Sequence, residues 1–179
     1  MASGQDVWFF VIGLTLLAAW TDWRSRRIPN WLTLPGLAVG VAINSYAHGW
    51  QGTKISLEGA ALALILLLPV VMLRGLGAGD WKLMGAVGAF AGPTLFVVIL
   101  TASVLVAGAM AIVQMIRARR VRKTLRNLVV LVHGFFVFGL RPNPNISLDD
   151  PKSLKLPFGV ATAIATLACG GAALWHLHL

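Results

Sequence analysis

The sequence predicts an all-α protein: a polytopic membrane helix bundle of about six transmembrane helices, with one further helix lying on the cytoplasmic interface. Three observations predict it. Of the 179 residues, 58% are hydrophobic and 12% are charged, against roughly 25% charged in ordinary soluble domains. The mean hydropathy is +0.79. Apolar stretches recur from one end of the chain to the other with no long polar linker between them, so residues 1–179 read as a single membrane-embedded domain.

The apolar segments fall at about residues 7–20, 31–46, 57–73, 81–91, 94–116 and 156–176. Several are shorter than the roughly 20 residues of a full span. The fourth, which ends at the Ala91-Gly92-Pro93 turn, reads as a half-span or as the first part of the fifth. Residues 128–140 are apolar but too short to span, and they follow a dense basic run. They read as an interfacial helix whose neighbouring arginines reach anionic lipid headgroups. The first segment has no basic residue before it and several after it, the reverse of a cleaved signal peptide.

Charge sets the orientation. The formal net charge is +9, and the basic residues gather in alternate loops. Arg24, Arg26 and Arg27 follow the first segment, Arg74 and Lys82 flank the gap after the third, and Arg117 to Arg126 follow the fifth; Lys54 is on the other side. Basic loops face the cytoplasm, so both chain ends are expected outside, in the cell's inner membrane. The same distribution accounts for the basic pI without nucleic acid. No basic helix interleaved with aromatics stands outside the apolar segments. Cys169 is the only cysteine, so neither an intrachain disulfide nor a multi-cysteine zinc site can form. The four histidines show no metal-ligand spacing, and no cofactor is expected.

The acidic residues carry the functional signal, because there are six of them. Asp6, Glu58, Asp149 and Asp150 read as solvated charges or helix caps. Asp22 and Asp80 differ. Asp22 closes the first apolar segment and Asp80 opens the fourth, so the topology sets both at one depth on the cytoplasmic side. Carboxylates at a hydrocarbon boundary are costly and mark function. Taken singly, Asp22 could partner Arg24 or Arg26, and Asp80 could cap a helix or pair with Lys82. Taken together they form a candidate dyad. Two neighbouring carboxyls cannot easily both ionise and share one proton, so one can activate water while the other polarises a carbonyl. That is aspartic peptidase chemistry. Gly77 and Gly79 would let backbone and substrate approach next to Asp80.

These residues also carry a family resemblance. Gly77-Ala78-Gly79-Asp80 resembles the GxGD signature of intramembrane-type aspartic peptidases. Asp80-Trp81-Lys82 and the pairing of Asp22 with Arg26-Arg27-Ile28-Pro29-Asn30 resemble the prepilin peptidases, or type IV leader peptidases. Leu156-Pro157-Phe158-Gly159 is similar to that family's approach to its last helix. The resemblance implies cleavage of the short basic leader of prepilins, pseudopilins or preflagellins on the cytoplasmic side of the membrane, with Asp22 and Asp80 catalytic. Larger members carry paired CxxC motifs and also methylate the new amino terminus. With Cys169 alone, the resemblance here implies a peptidase without methyltransferase. The short form is similar both to peptidases of tight-adherence (Flp) pilus systems and to archaeal preflagellin peptidases.

Lys82 has two readings of equal weight. One biases the dyad or holds a substrate carboxylate, and the other is an anchor snorkelling to the interface. Pro29 and Asn30 are expected to shape the turn into the second segment. Two other classes compete with the enzyme. A proton-coupled transporter would want its acids near the midplane, whereas these lie at the edge. A non-catalytic pilus-assembly subunit would not need the dyad.

Overall fold

The structure, a computed structural model, describes residues 4–72, 75–117 and 157–176. Four helices account for them: α1 (Gly4–Ser25), α2 (Asn30–Met72), α3 (Ala78–Arg117) and α4 (Phe158–His176). The expected interfacial helix at 128–140, the basic run before it and Arg74 lie outside the described residues.

The sequence led to an expectation of six separate helices, and the described residues form four because two breaks interrupt helix without a loop. The first apolar segment forms α1 and the last forms α4. The second and third join in α2, and the fourth and fifth join in α3. The breaks fall at Gly49 (φ 58°, ψ −141°) and Gly92 (φ 70°, ψ 175°). Both are conformations that a side chain strongly disfavours. At Gly49 the chain folds back on itself. Eight residues along a helix span about 12 Å, yet Ser45 Oγ and Thr53 Oγ1 are 2.7 Å apart. Residues 47–56, expected as a loop, are therefore helix on both sides of a one-residue reversal.

The break at Gly92 creates a polar problem that α2 solves. Pro93 has no N–H, so the carbonyl of Ala89 loses its helical donor. Asn44 Nδ2 donates to that carbonyl at 2.9 Å and to Phe90 O at 3.1 Å. Ser56 Oγ donates to Ala89 O as well. Asn44 and Ser56 come from opposite arms of α2, and both are buried. The hairpin thus grips the break from two sides. Replacing Asn44 with Leu leaves Phe90 O stripped of this donor in an apolar setting. A loss of about 1–3 kcal/mol is expected, read as a lower unfolding midpoint in detergent micelles; a midpoint equal to wild type would refute the bracing.

Packing is close because the facing residues are small. Ala60, Ala63, Ala86 and Ala89 are buried where α2 meets α3. Gly59 and Gly88 bring the two backbones into direct contact. α4 packs on α1 and α3 and buries Ala161, Thr162, Ala165 and Thr166. The threonine hydroxyls are satisfied within their own helix, Thr162 on Phe158 O and Thr166 on Thr162 O. Small residues and self-satisfied hydroxyls are what helix association in lipid favours. α2 and α3 are each long and apolar enough to cross a membrane. The outer surface is accordingly greasy, with Phe9, Leu17, Ile65, Leu105 and Ile116 exposed among many others.

Candidate active site

Three helix ends converge. α1 ends just after Asp22, α3 begins just before Asp80, and α4 begins just before Gly159. The link between α1 and α2 runs through them, with Ile28 buried at its centre. A Cβ on Gly79 would stand 2.9 Å from Ile28 O, and one on Gly159 would stand 3.2 Å from Ile28 Cδ1. Ile28 therefore fits between the residue before Asp80 and the residue that holds Asp22.

Asp22 is 7% exposed. Its Oδ2 accepts a 3.0 Å hydrogen bond from the backbone N–H of Gly159. On its own helix, its carbonyl accepts from Arg26 N at 2.8 Å, and the Arg26 guanidinium is near enough to act on its carboxyl. Arg26 itself adopts φ 50°, an uncommon conformation for a residue with a side chain, and it turns the chain toward Ile28.

Asp80 is the third residue of α3. Its Oδ2 lies 2.9 Å from where a Cβ on Gly77 would be, and the Gly77 N–H faces the same carboxyl. An acid three residues after the cap and turned back toward it follows the logic of a capping box. Its second oxygen does something else. Asp80 Oδ1 is buried and makes no hydrogen bond among the described residues. Asp22 and Asp80 are near enough for the charge of Asp22 to act on the Asp80 carboxyl.

The remaining expected site residues gather at the same end. Lys82 Nζ donates to Asn30 Oδ1 at 3.0 Å, so Lys82 is tied to the start of α2. Pro29 O accepts from Leu32 N at 3.1 Å and Thr33 N at 3.4 Å. Pro29 thereby caps α2 through its carbonyl, while the Asn30 side chain serves Lys82. Gly77 and Gly79 do different jobs. Gly77 makes room for the Asp80 carboxyl, and Gly79 makes room for the Ile28 backbone. Sequence reasoning placed Ile28 and Gly159 in two runs that resemble the family, Arg26-Arg27-Ile28-Pro29-Asn30 and Leu156-Pro157-Phe158-Gly159, but gave neither residue a role of its own.

The comparison with known families bears on this end of the bundle. The sequence model of the type IV leader peptidase family matches residues 9–112. That is more than half of the chain, and it takes in every residue above except those of α4. The protein is thus a helical membrane peptidase. It belongs to the type IV leader peptidase family. Membership implies a prepilin as the substrate. No curated protein and no solved structure matches the chain.

Proposed function

We propose that the protein is an aspartic endopeptidase that removes the leader peptide of type IV prepilins or pseudopilins at the cytoplasmic edge of the inner membrane, with Asp22 and Asp80 as its dyad. The observation that carries this reading is that two acids 58 positions apart in sequence lie at the same end of the bundle, on helix ends joined through Ile28, with Asp80 Oδ1 buried and unpartnered among the described residues. Buried polar atoms are nearly always paired, and the exceptions call for a functional account.

The chemistry needs one proton shared between the two acids. The ionised carboxyl takes a proton from water as the water oxygen bonds to the scissile carbonyl carbon. The protonated carboxyl hydrogen-bonds to the carbonyl oxygen and gives it the proton, which yields a neutral tetrahedral gem-diol. A proton then passes to the amide nitrogen as the C–N bond breaks, and the new acid and amine leave. Every proton moves between water, the substrate and the two aspartates. The pair titrates as a unit.

The membrane setting is part of the proposal. Trp20, Trp23 and Trp31 are exposed around the aspartate end, while Tyr46 and Trp50 are exposed beside the Gly49 reversal at the opposite end. Aromatic residues at two levels with an aliphatic surface between them are how a protein sits in a bilayer. On this reading the arms of α2 and α3 are separate spans, the bundle crosses the membrane six times, and both termini are outside. Lys82 and Asn30, joined and within one turn of Asp80, stand where the polar part of a substrate would pass before its hydrophobic helix enters the bilayer. The absence of a CxxC pair supports cleavage without methylation.

The test is direct. The purified chain in detergent, given a prepilin with its basic leader, should release the leader at one bond just before the hydrophobic segment, as read by amino-terminal sequencing of the product. The mature amino terminus should carry no methyl group when S-adenosylmethionine is supplied. An intact prepilin after incubation with folded protein would overturn the reading.

A further inference from the structure

The Gly159 contact with Asp22 spans 137 positions of sequence, more than any other hydrogen bond among the described residues. It joins α4, which lies beyond the family match, to the proposed dyad. In α4, Pro157 O accepts from Val160 N at 3.1 Å and Ala161 N at 3.3 Å. The N–H of Gly159 sits in the first turn, where no carbonyl of the same helix is available to it. Asp22 takes it. The first turn of a helix also presents partial positive charge, so donor and field act on the same carboxyl oxygen. An N–H aimed at a carboxyl favours its ionised form.

The two acids are therefore held differently. Asp22 faces Gly159 N–H from α4, Arg26 from its own helix and Asp80 from α3. Asp80 faces Asp22 and the Gly77 N–H and keeps one buried oxygen unpartnered among the described residues, while Lys82, two residues on, is directed to Asn30. The space is matched as well. A Cβ at position 159 would stand 3.1 Å from Asp22 Oδ2, 3.2 Å from Asp22 Cβ and 3.2 Å from Ile28 Cδ1, so an added methyl crowds the carboxyl and its neighbour by a few tenths of an ångström.

We infer that Gly159 is a positioning residue that makes Asp22 the ionised, water-activating member of the pair and leaves the shared proton on Asp80. This rests on the dyad proposed above and deepens it by dividing the roles. The donor is a backbone group, so the residue identity matters through the space a side chain would take beside the carboxyl that the N–H reaches at 3.0 Å.

Gly159→Ala tests it. Cleavage of the prepilin should fall about tenfold in kcat from the displaced carboxyl, with KM unchanged. The acid limb of the kcat profile should move to higher pH by about one unit, because a weaker donor leaves Asp22 harder to ionise. Gly171→Ala, on the same helix with nothing within 4 Å of its added Cβ, should leave kcat and the limb unchanged. A second measurement does not depend on turnover. In wild-type protein the Gly159 amide resonance should follow the titration of Asp22, and in Asp22→Asn it should not move. A Gly159→Ala enzyme with wild-type kcat and acid limb overturns the inference, as does a fall in kcat with the limb in place or a Gly159 amide indifferent to pH. If Asp22→Asn cleaves at the wild-type rate, the dyad itself is wrong. If Asp22→Asn is inactive and Gly159→Ala is normal, only the division of roles is wrong.

Discussion

Asp80→Asn is expected to lower leader cleavage by about 10³–10⁴-fold, the upper part of the range that loss of a positioned proton-transfer group produces, and Asp22→Asn should do the same. Asparagine is close in shape, and both sites keep their structural partners after the change. In Asp22→Asn the new amide oxygen can still accept from Gly159 N–H, which Asp22 Oδ2 does at 3.0 Å in the wild type. In Asp80→Asn the side-chain oxygen can still face the Gly77 N–H. Folding should therefore survive and chemistry should not. The measurement is initial rate on a purified prepilin in micelles, with an unfolding midpoint recorded for each variant. Cleavage by either variant within tenfold of wild type would end the two-carboxyl mechanism. The double variant should be no slower than the slower single one, because the two acids share one proton and act as a unit. A proton flux across liposomes that depends on the same two acids, with no cleavage, would favour a transporter instead.

Gly88→Val should lower stability by about 3 kcal/mol or more. A Cβ at Gly88 would fall 2.8 Å from the Gly59 carbonyl carbon and 3.2 Å from Ala60 N, and would overlap the Gly59 oxygen. Each of these obstacles is backbone, which cannot swing aside as a side chain does. The α2 and α3 backbones would have to part, and the parting would loosen Ala60, Ala63 and Ala89 around the contact. Asp80 stands two turns away on the same arm of α3, so surviving activity should fall too. Gly108→Val is the matched control on the same helix, where an added Cβ meets nothing within 4 Å. Its unfolding midpoint should match wild type. Equal midpoints for the two variants would mean that the Gly59–Gly88 approach does not hold the bundle together.

The amino-acid sequence by itself determined the helical class and the apolar character, and it named the residues proposed for acid–base chemistry. Those properties are local. Long apolar runs have one way to satisfy their backbone in lipid, which is to coil into helices. With six acids in the chain, a census at the segment ends was enough to single out Asp22 and Asp80. The sequence also marked the Ala91-Gly92-Pro93 break, because proline removes a donor wherever it sits. It did not mark how the break is repaired, nor that Gly49 reverses the chain in one residue. What only the tertiary structure decided is which distant groups meet: Asn44 and Ser56 on Ala89 O, Lys82 on Asn30, Ile28 between Gly79 and Gly159, and Gly159 N–H on Asp22. All but the Lys82–Asn30 bond join the chain through a backbone group or a missing side chain, and neither leaves a pattern in a string of residue types. A helix's periodicity says which face is buried and nothing of what lies opposite. That was decided when the helices packed closely enough for one glycine N–H to reach one carboxylate.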